Sequence, residues 1–111
     1  VVIGGGTMGM LNALAARARG ARVIVSELME KKLDLARKLG FETIDSGKED
    51  AVERVKELTG GKGADCVIVA VGVESANKQS LDMVKKIDGR ILLFAAGSST
   101  VDGCGFKLTS L

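Results

Sequence analysis

Three glycines near the start of the 111-residue chain, Gly4, Gly6 and Gly9, stand at G-x-G-x-x-G spacing. The chemistry of that spacing is recognition of a pyrophosphate by backbone rather than by side chains. Gly4 lets the chain turn sharply out of a strand, Gly6 brings no Cβ between a phosphate and the main chain, and Gly9 lets a helix pack closely on that strand. The N–H groups and positive dipole end of the helix then face the phosphates. With 15 glycines in the chain, such spacing arises easily by chance, so its flanks decide. Val1-Val2-Ile3 reads as a strand before the cluster, and the alanine-rich run from Met10 to Arg19 reads as a helix after it. A carboxylate, Glu27, closes the next apolar run, Arg22-Val23-Ile24-Val25-Ser26. It stands about 20 residues beyond the glycines, where an acid accepts hydrogen bonds from ribose hydroxyls.

The elements that must hold these residues follow in order. A first helix is expected over about Thr7 to Arg19, burying Met10, Leu11, Leu14, Ala15 and Ala18, with Gly20 at its stop. The second strand, Arg22 to Ser26, does not alternate with polar residues and reads as a buried parallel strand. The second helix, about Met29 to Leu39, places Met29, Leu33 and Ala36 on one face, widened by Leu35 and Leu39. After a short strand, Glu42 to Ile44, Ser46-Gly47-Lys48-Glu49 has the form of a capping box and opens a helix to about Leu58, with Val52, Val55 and Leu58 inside. A glycine-rich loop over 59–63 leads into the most apolar strand, 64–71, in which Cys66 reads as a small core residue. A helix from about Ser75 to Ile87, a turn at Asp88-Gly89 and a strand from Arg90 to Ala95 complete the pattern.

Strands alternating with helices through short connections predict an α/β fold, a Rossmann-type doubly wound parallel sheet of about five strands. In such a sheet ligands bind beyond the carboxyl ends of the strands, where the strand order switches. Three strand ends carry small residues that leave room for a flat ligand: Gly4 to Gly6, Ala70-Val71-Gly72 and Ala95-Ala96-Gly97. Each also suits an ordinary turn.

Composition narrows the function classes. Hydrophobic residues make up 46% but aromatics only 3%, so the core must be aliphatic. A net charge of +2 with bases spread among acids leaves no nucleic-acid footprint, and no apolar run reaches the length of a membrane span. Cys66 and Cys104 make neither a disulfide scaffold nor a metal site, and the chain has no histidine. A cytoplasmic location is expected, and a chain that begins inside a strand reads as a piece of a longer protein.

Four stretches carry a family resemblance: Val2-Ile3-Gly4-Gly5-Gly6-Thr7-Met8-Gly9, Arg22 to Glu27, Glu57-Leu58-Thr59-Gly60-Gly61-Lys62-Gly63-Ala64-Asp65, and Gly89-Arg90-Ile91-Leu92-Leu93-Phe94. Residues 1 to about 97 resemble the cofactor domain of the zinc-type medium-chain alcohol dehydrogenases, in particular the sorbitol and threonine dehydrogenase branch. The resemblance implies that Gly4, Gly6, Thr7, Met8 and Gly9 surround the pyrophosphate of NAD. Glu27 would bind the adenosine ribose with Lys32 beside it, although Lys32 is equally read as a solvated helix lysine. Ala70, Val71 and Gly72 would line the cofactor cleft, and Phe94, Ala95 and Ala96 would approach the nicotinamide end. The family more often has Asp where Glu27 stands and Pro where Thr7 stands.

Also implied is an oxidoreductase that moves hydride between a secondary alcohol or polyol and NAD. Zinc and the catalytic residues would lie in a separate domain absent from this chain, leaving the segment alone inactive. Residues 98–111 read as a tail leading towards a missing sixth strand, which in the family pairs across a two-fold axis, so a homo-oligomer is expected. Two other classes share the glycine loop and the acid: regulatory nucleotide-binding modules of the potassium-channel ligand-sensing type, and methyltransferases. The helix expected after Ser46 and the glycine-rich turn before Ala64 favour the dehydrogenase.

Overall fold

The computed structural model describes residues 1–94 and the backbone of two short strands at 100–101 and 106–107. Five parallel strands form one sheet: β1 (Val2–Ile3), β2 (Ile24–Glu27), β3 (Glu42–Asp45), β4 (Cys66–Val69) and β5 (Arg90–Leu93). Their spatial order is β3-β2-β1-β4-β5, so the chain winds outward from β1 first one way and then the other. Val2 pairs with Val25 on one side and Ile68 on the other, which makes the shortest strand the hub of the sheet.

Four helices connect the strands: α1 (Thr7–Ala18), α2 (Glu30–Lys38), α3 (Ala51–Leu58) and α4 (Glu74–Met83). Alternation along the strands sends side chains into two cores. On one face Val2, Val25, Met10, Ala13, Ala36 and Phe41 pack together beneath α1 and α2. On the other, Ile3, Ile24, Ile44, Val67 and Val69 meet Ala51 and Val55 of α3 and Ala76 and Met83 of α4. Strands β6 (Thr100–Val101) and β7 (Phe106–Lys107) form a separate antiparallel pair within the stretch expected to be a tail.

Several local expectations are corrected. The buried side of α1 is Gly9, Met10 and Ala13, whereas Leu11 and Leu14 are exposed. Gly9 lies against the glycine turn, where no side chain fits, and that sets which side of the helix turns inward. Met29 is the N-cap of α2 and is exposed, as are Leu35 and Leu39, so only Leu33 and Ala36 of the expected face are buried. The box at Ser46 does not cap α3. Asp45 folds residues 45–49 into a turn by accepting from the Gly47, Lys48 and Glu49 amides. The cap is Asp50, whose carboxylate accepts from the Glu53 amide at 3.2 Å. Helix α4 stops at Met83 because Val84 turns extended and bridges to Ala64. Cys66 is exposed, not in the core.

Candidate dinucleotide site

The switch in strand order lies between β1 and β4, and the glycine loop leaves β1 at that point. Gly4 adopts φ +105°, a left-handed conformation costly for residues with a side chain. A Cβ there would also stand 3.1 Å from the Val71 Cβ and 3.3 Å from the Ala70 carbonyl. Gly9 is needed for a different reason: a Cβ on it would overlap the Gly4 carbonyl oxygen and touch the Ala70 Cβ at 3.4 Å. The loop, the first turn of α1 and the end of β4 are therefore packed as closely as glycine permits.

This close approach leaves the start of α1 open. Gly6 is its N-cap, no side chain caps it, and its first turn carries no acid. By contrast α3 has the Asp50 carboxylate on the Glu53 amide of its first turn. An uncapped helix start facing a glycine turn is the arrangement that suits an anion. Thr7 and Met8 are exposed at this start, and Gly72 is exposed beyond β4.

Glu27 ends β2 beside the loop. Its Oε1 accepts from the Gly5 amide at 2.8 Å, and its Oε2 accepts from the Leu28 and Met29 amides at 2.6 and 2.8 Å. Partial burial pushes its pKa up, but the hydrogen bonds from Met29, Gly5 and Leu28, with the Lys32 ammonium nearby, outweigh burial and hold it below the usual carboxylate range. Lys32 reaches across the loop: its Nζ lies 3.8 Å from where a Cβ on Gly6 would stand.

The structure thus brings Gly4, Gly6, Gly9, Glu27, Lys32, Ala70 and Val71 to one end of the sheet. Phe94 follows β5, exposed, with its amide donating to the Val69 carbonyl at 2.9 Å. Ala95 and Ala96 lie outside the described residues. Sequence reasoning missed Gly5, which the G-x-G-x-x-G spacing leaves free. Its signal was a third consecutive glycine where the motif requires only two.

A groove of about 410 Å³ opens beside the loop between α1 and α2, lined by Gly5, Gly6, Thr7, Leu11, Leu14, Lys32 and Leu35 among others. A larger cavity, about 640 Å³, lies at the amino ends of the strands among Val1, Arg22, Lys62, Cys66 and Lys85. Size does not decide between them, because helix N-termini and strand carboxyl ends converge only at the loop end. No group of three His, Cys, Asp or Glu side chains among the described residues is placed to hold a metal, and the chain has no histidine, so these residues do not fit zinc.

Residues 7–111 match the model of one protein family, described as zinc-binding dehydrogenase. The chain belongs to that family. It is 38% identical over 89 residues to sorbitol dehydrogenase of Halalkalibacterium halodurans, a match covering 78% of this chain and 26% of that protein. Erythritol/L-threitol dehydrogenase of Mycolicibacterium smegmatis is 38% identical over 103 residues, covering 91% of this chain and 28% of that protein. Among solved structures, benzyl alcohol dehydrogenase from Acinetobacter calcoaceticus superposes with a TM-score of 0.81 at 29% identity, over 97% of this chain and 29% of that one. The chain therefore spans between a quarter and a third of these proteins. Family membership supports the zinc-type alcohol dehydrogenase resemblance and gives none to the channel-module alternative. No helix among the described residues is long and apolar enough to cross a membrane.

Proposed function

We propose that this chain is the NAD-holding part of a cytoplasmic zinc-type dehydrogenase of secondary alcohols or polyols. Residues 1–97 form the dinucleotide-binding domain, and 98–111 lead on from it. The observation that carries this is the open start of α1 at the strand-order switch, with a carboxylate at the end of β2. Gly4 and Gly9 pack the loop against β4 and α1, while a Cβ on Gly6 would meet only the Lys32 Nζ, at 3.8 Å, which leaves the main chain there open to a pyrophosphate. NAD, when bound, supplies the hydride acceptor and donor. The chain's own work is to hold it. Gly4, Gly6, Thr7, Met8 and Gly9 surround the phosphates, Glu27 and Lys32 take the adenosine ribose, and Ala70, Val71, Gly72, Phe94, Ala95 and Ala96 line the path towards the nicotinamide.

Zinc and the alcohol are handled outside this segment, and the full protein is a homo-oligomer in this proposal. The cofactor choice follows from Glu27. A carboxylate accepts hydrogen bonds from both ribose hydroxyls of NAD, whereas the 2′-phosphate of NADP brings negative charge beside it. At about 5 Å and an effective dielectric between roughly 20 and 80, each pair of unit charges costs about 1–3 kcal/mol. Titration of both cofactors against wild type and Glu27→Ala tests this. NAD is expected to bind at least about fivefold more tightly than NADP, with the preference lost in the variant. Equal wild-type affinities would remove Glu27 from the role.

A further inference from the structure

Glu27 touches two separate pieces of backbone. Through Oε1 it holds Gly5, the middle of the glycine loop, and through Oε2 it holds Leu28 and Met29 at the entry to α2. A ribose-binding acid needs no contact with the loop. Yet Gly5 is buried, and a Cβ there would meet the Glu27 Cγ and the Lys32 Cβ at 3.4 Å each. The loop backbone, the acid and the start of α2 are thus tied together without any ligand.

We propose that Glu27 is a positioning residue for the phosphate-binding backbone of the glycine loop, fixing Gly5 so that the loop and α1 present their amides to a pyrophosphate. This deepens the dinucleotide proposal and rests on it. The carboxylate has two oxygens and three amide donors, so its loop bond is in place before any hydroxyl arrives. Lys32 is the charged side chain acting on it.

A ribose-free probe separates this role from ribose recognition. By charge alone, removing a carboxylate beside the phosphate site strengthens binding of inorganic pyrophosphate. Loss of loop positioning weakens it. In the full chain at about 1 M salt, where the charge effect is screened, Glu27→Ala is expected to bind pyrophosphate about three- to tenfold more weakly than wild type, the worth of one ordering hydrogen bond. Glu27→Gln keeps one acceptor oxygen for three amide donors; with that oxygen on Leu28 and Met29 its NH2 opposes the Gly5 amide, so it is expected to weaken pyrophosphate binding as Ala does. Binding by either variant equal to or tighter than wild type under these conditions overturns the proposal.

The second measurement needs no variant to fold. The Gly5, Leu28 and Met29 amide proton shifts in the wild type are expected to titrate together, with one midpoint below the ordinary carboxylate value. A Gly5 amide unmoved by pH while Leu28 and Met29 move overturns the tie. Wild type that binds no pyrophosphate removes the phosphate site, and the positioning role with it, even where Gly5 titrates as expected.

Discussion

Strands β1 and β2 on one side of the switch and β4 and β5 on the other carry similarly apolar residues but differ in cover. In β2, Ile24 and Val25 point to opposite faces and both are buried, because helices lie on both sides. In β4, Val67 and Val69 are buried on the α3–α4 face, while Cys66 and Ile68 on the other face keep exposure. By β5 the contrast is complete: Ile91 and Leu93 pack on the core, and Leu92 between them is 47% exposed. An apolar run therefore announces a strand, but the helices laid over it decide how many of its faces are interior.

The strongest test of that contrast is Gly9→Ala on the doubly covered half. The new Cβ has no room beside the Gly4 carbonyl, so α1 must lift from β1, at a cost of about 3 kcal/mol or more. Urea unfolding would show it. Next, Val67→Ala should cost about 2 kcal/mol, since it empties a fully buried site. Leu92→Ala, which deletes more atoms, should cost less than about 1 kcal/mol. Reversal of that order would dissolve the comparison. Asp50→Ala removes the one side-chain cap at an N-terminus among the described helices and should cost about 1 kcal/mol.

The smallest effect is expected from pH. The folded pKa of Glu27 lies below its unfolded value, so its contribution is complete above the unfolded value near 4.5 and is lost as pH falls through the folded one. The stability gap between wild type and Glu27→Gln should accordingly narrow on acidification through that window. A gap that widens there would contradict the hydrogen-bonded carboxylate.

The glycine loop, the acid after β2 and the strand–helix alternation were legible because each depends on residues close in sequence. What was not legible depends on partners far away. Leu11 and Leu14 are apolar residues of α1, yet Gly9, Met10 and Ala13 face inward, because Gly9 must lie against Gly4 and against Ala70 at the end of β4, and that fixes which side of the helix is turned in. Ser46 and Asp50 each begin an acceptable capping pattern, and the turn closed on the Asp45 side chain and carbonyl chooses between them. Helix α4 ends early through a bridge from Val84 back to Ala64, a contact no local pattern carries. Cys66 follows the same rule as Leu92: its strand was read correctly, the cover over its face was not.

The position of β1 has a consequence for the order in which the sheet can be assembled. Val2 and Ile3 find β2 early in the chain, and β2 finds β3 by residue 45, but the other edge of β1 waits for residues 66–69. Closing that longer loop, whose last crossover carries α3, is the slow, non-local step. A chain emerging from the ribosome and paused between residues 45 and 66 would hold a three-stranded sheet whose hub strand is an unpaired edge. Such an edge is a template for another copy of the same strand, so this interval of synthesis is when mispairing between nascent chains is most favoured.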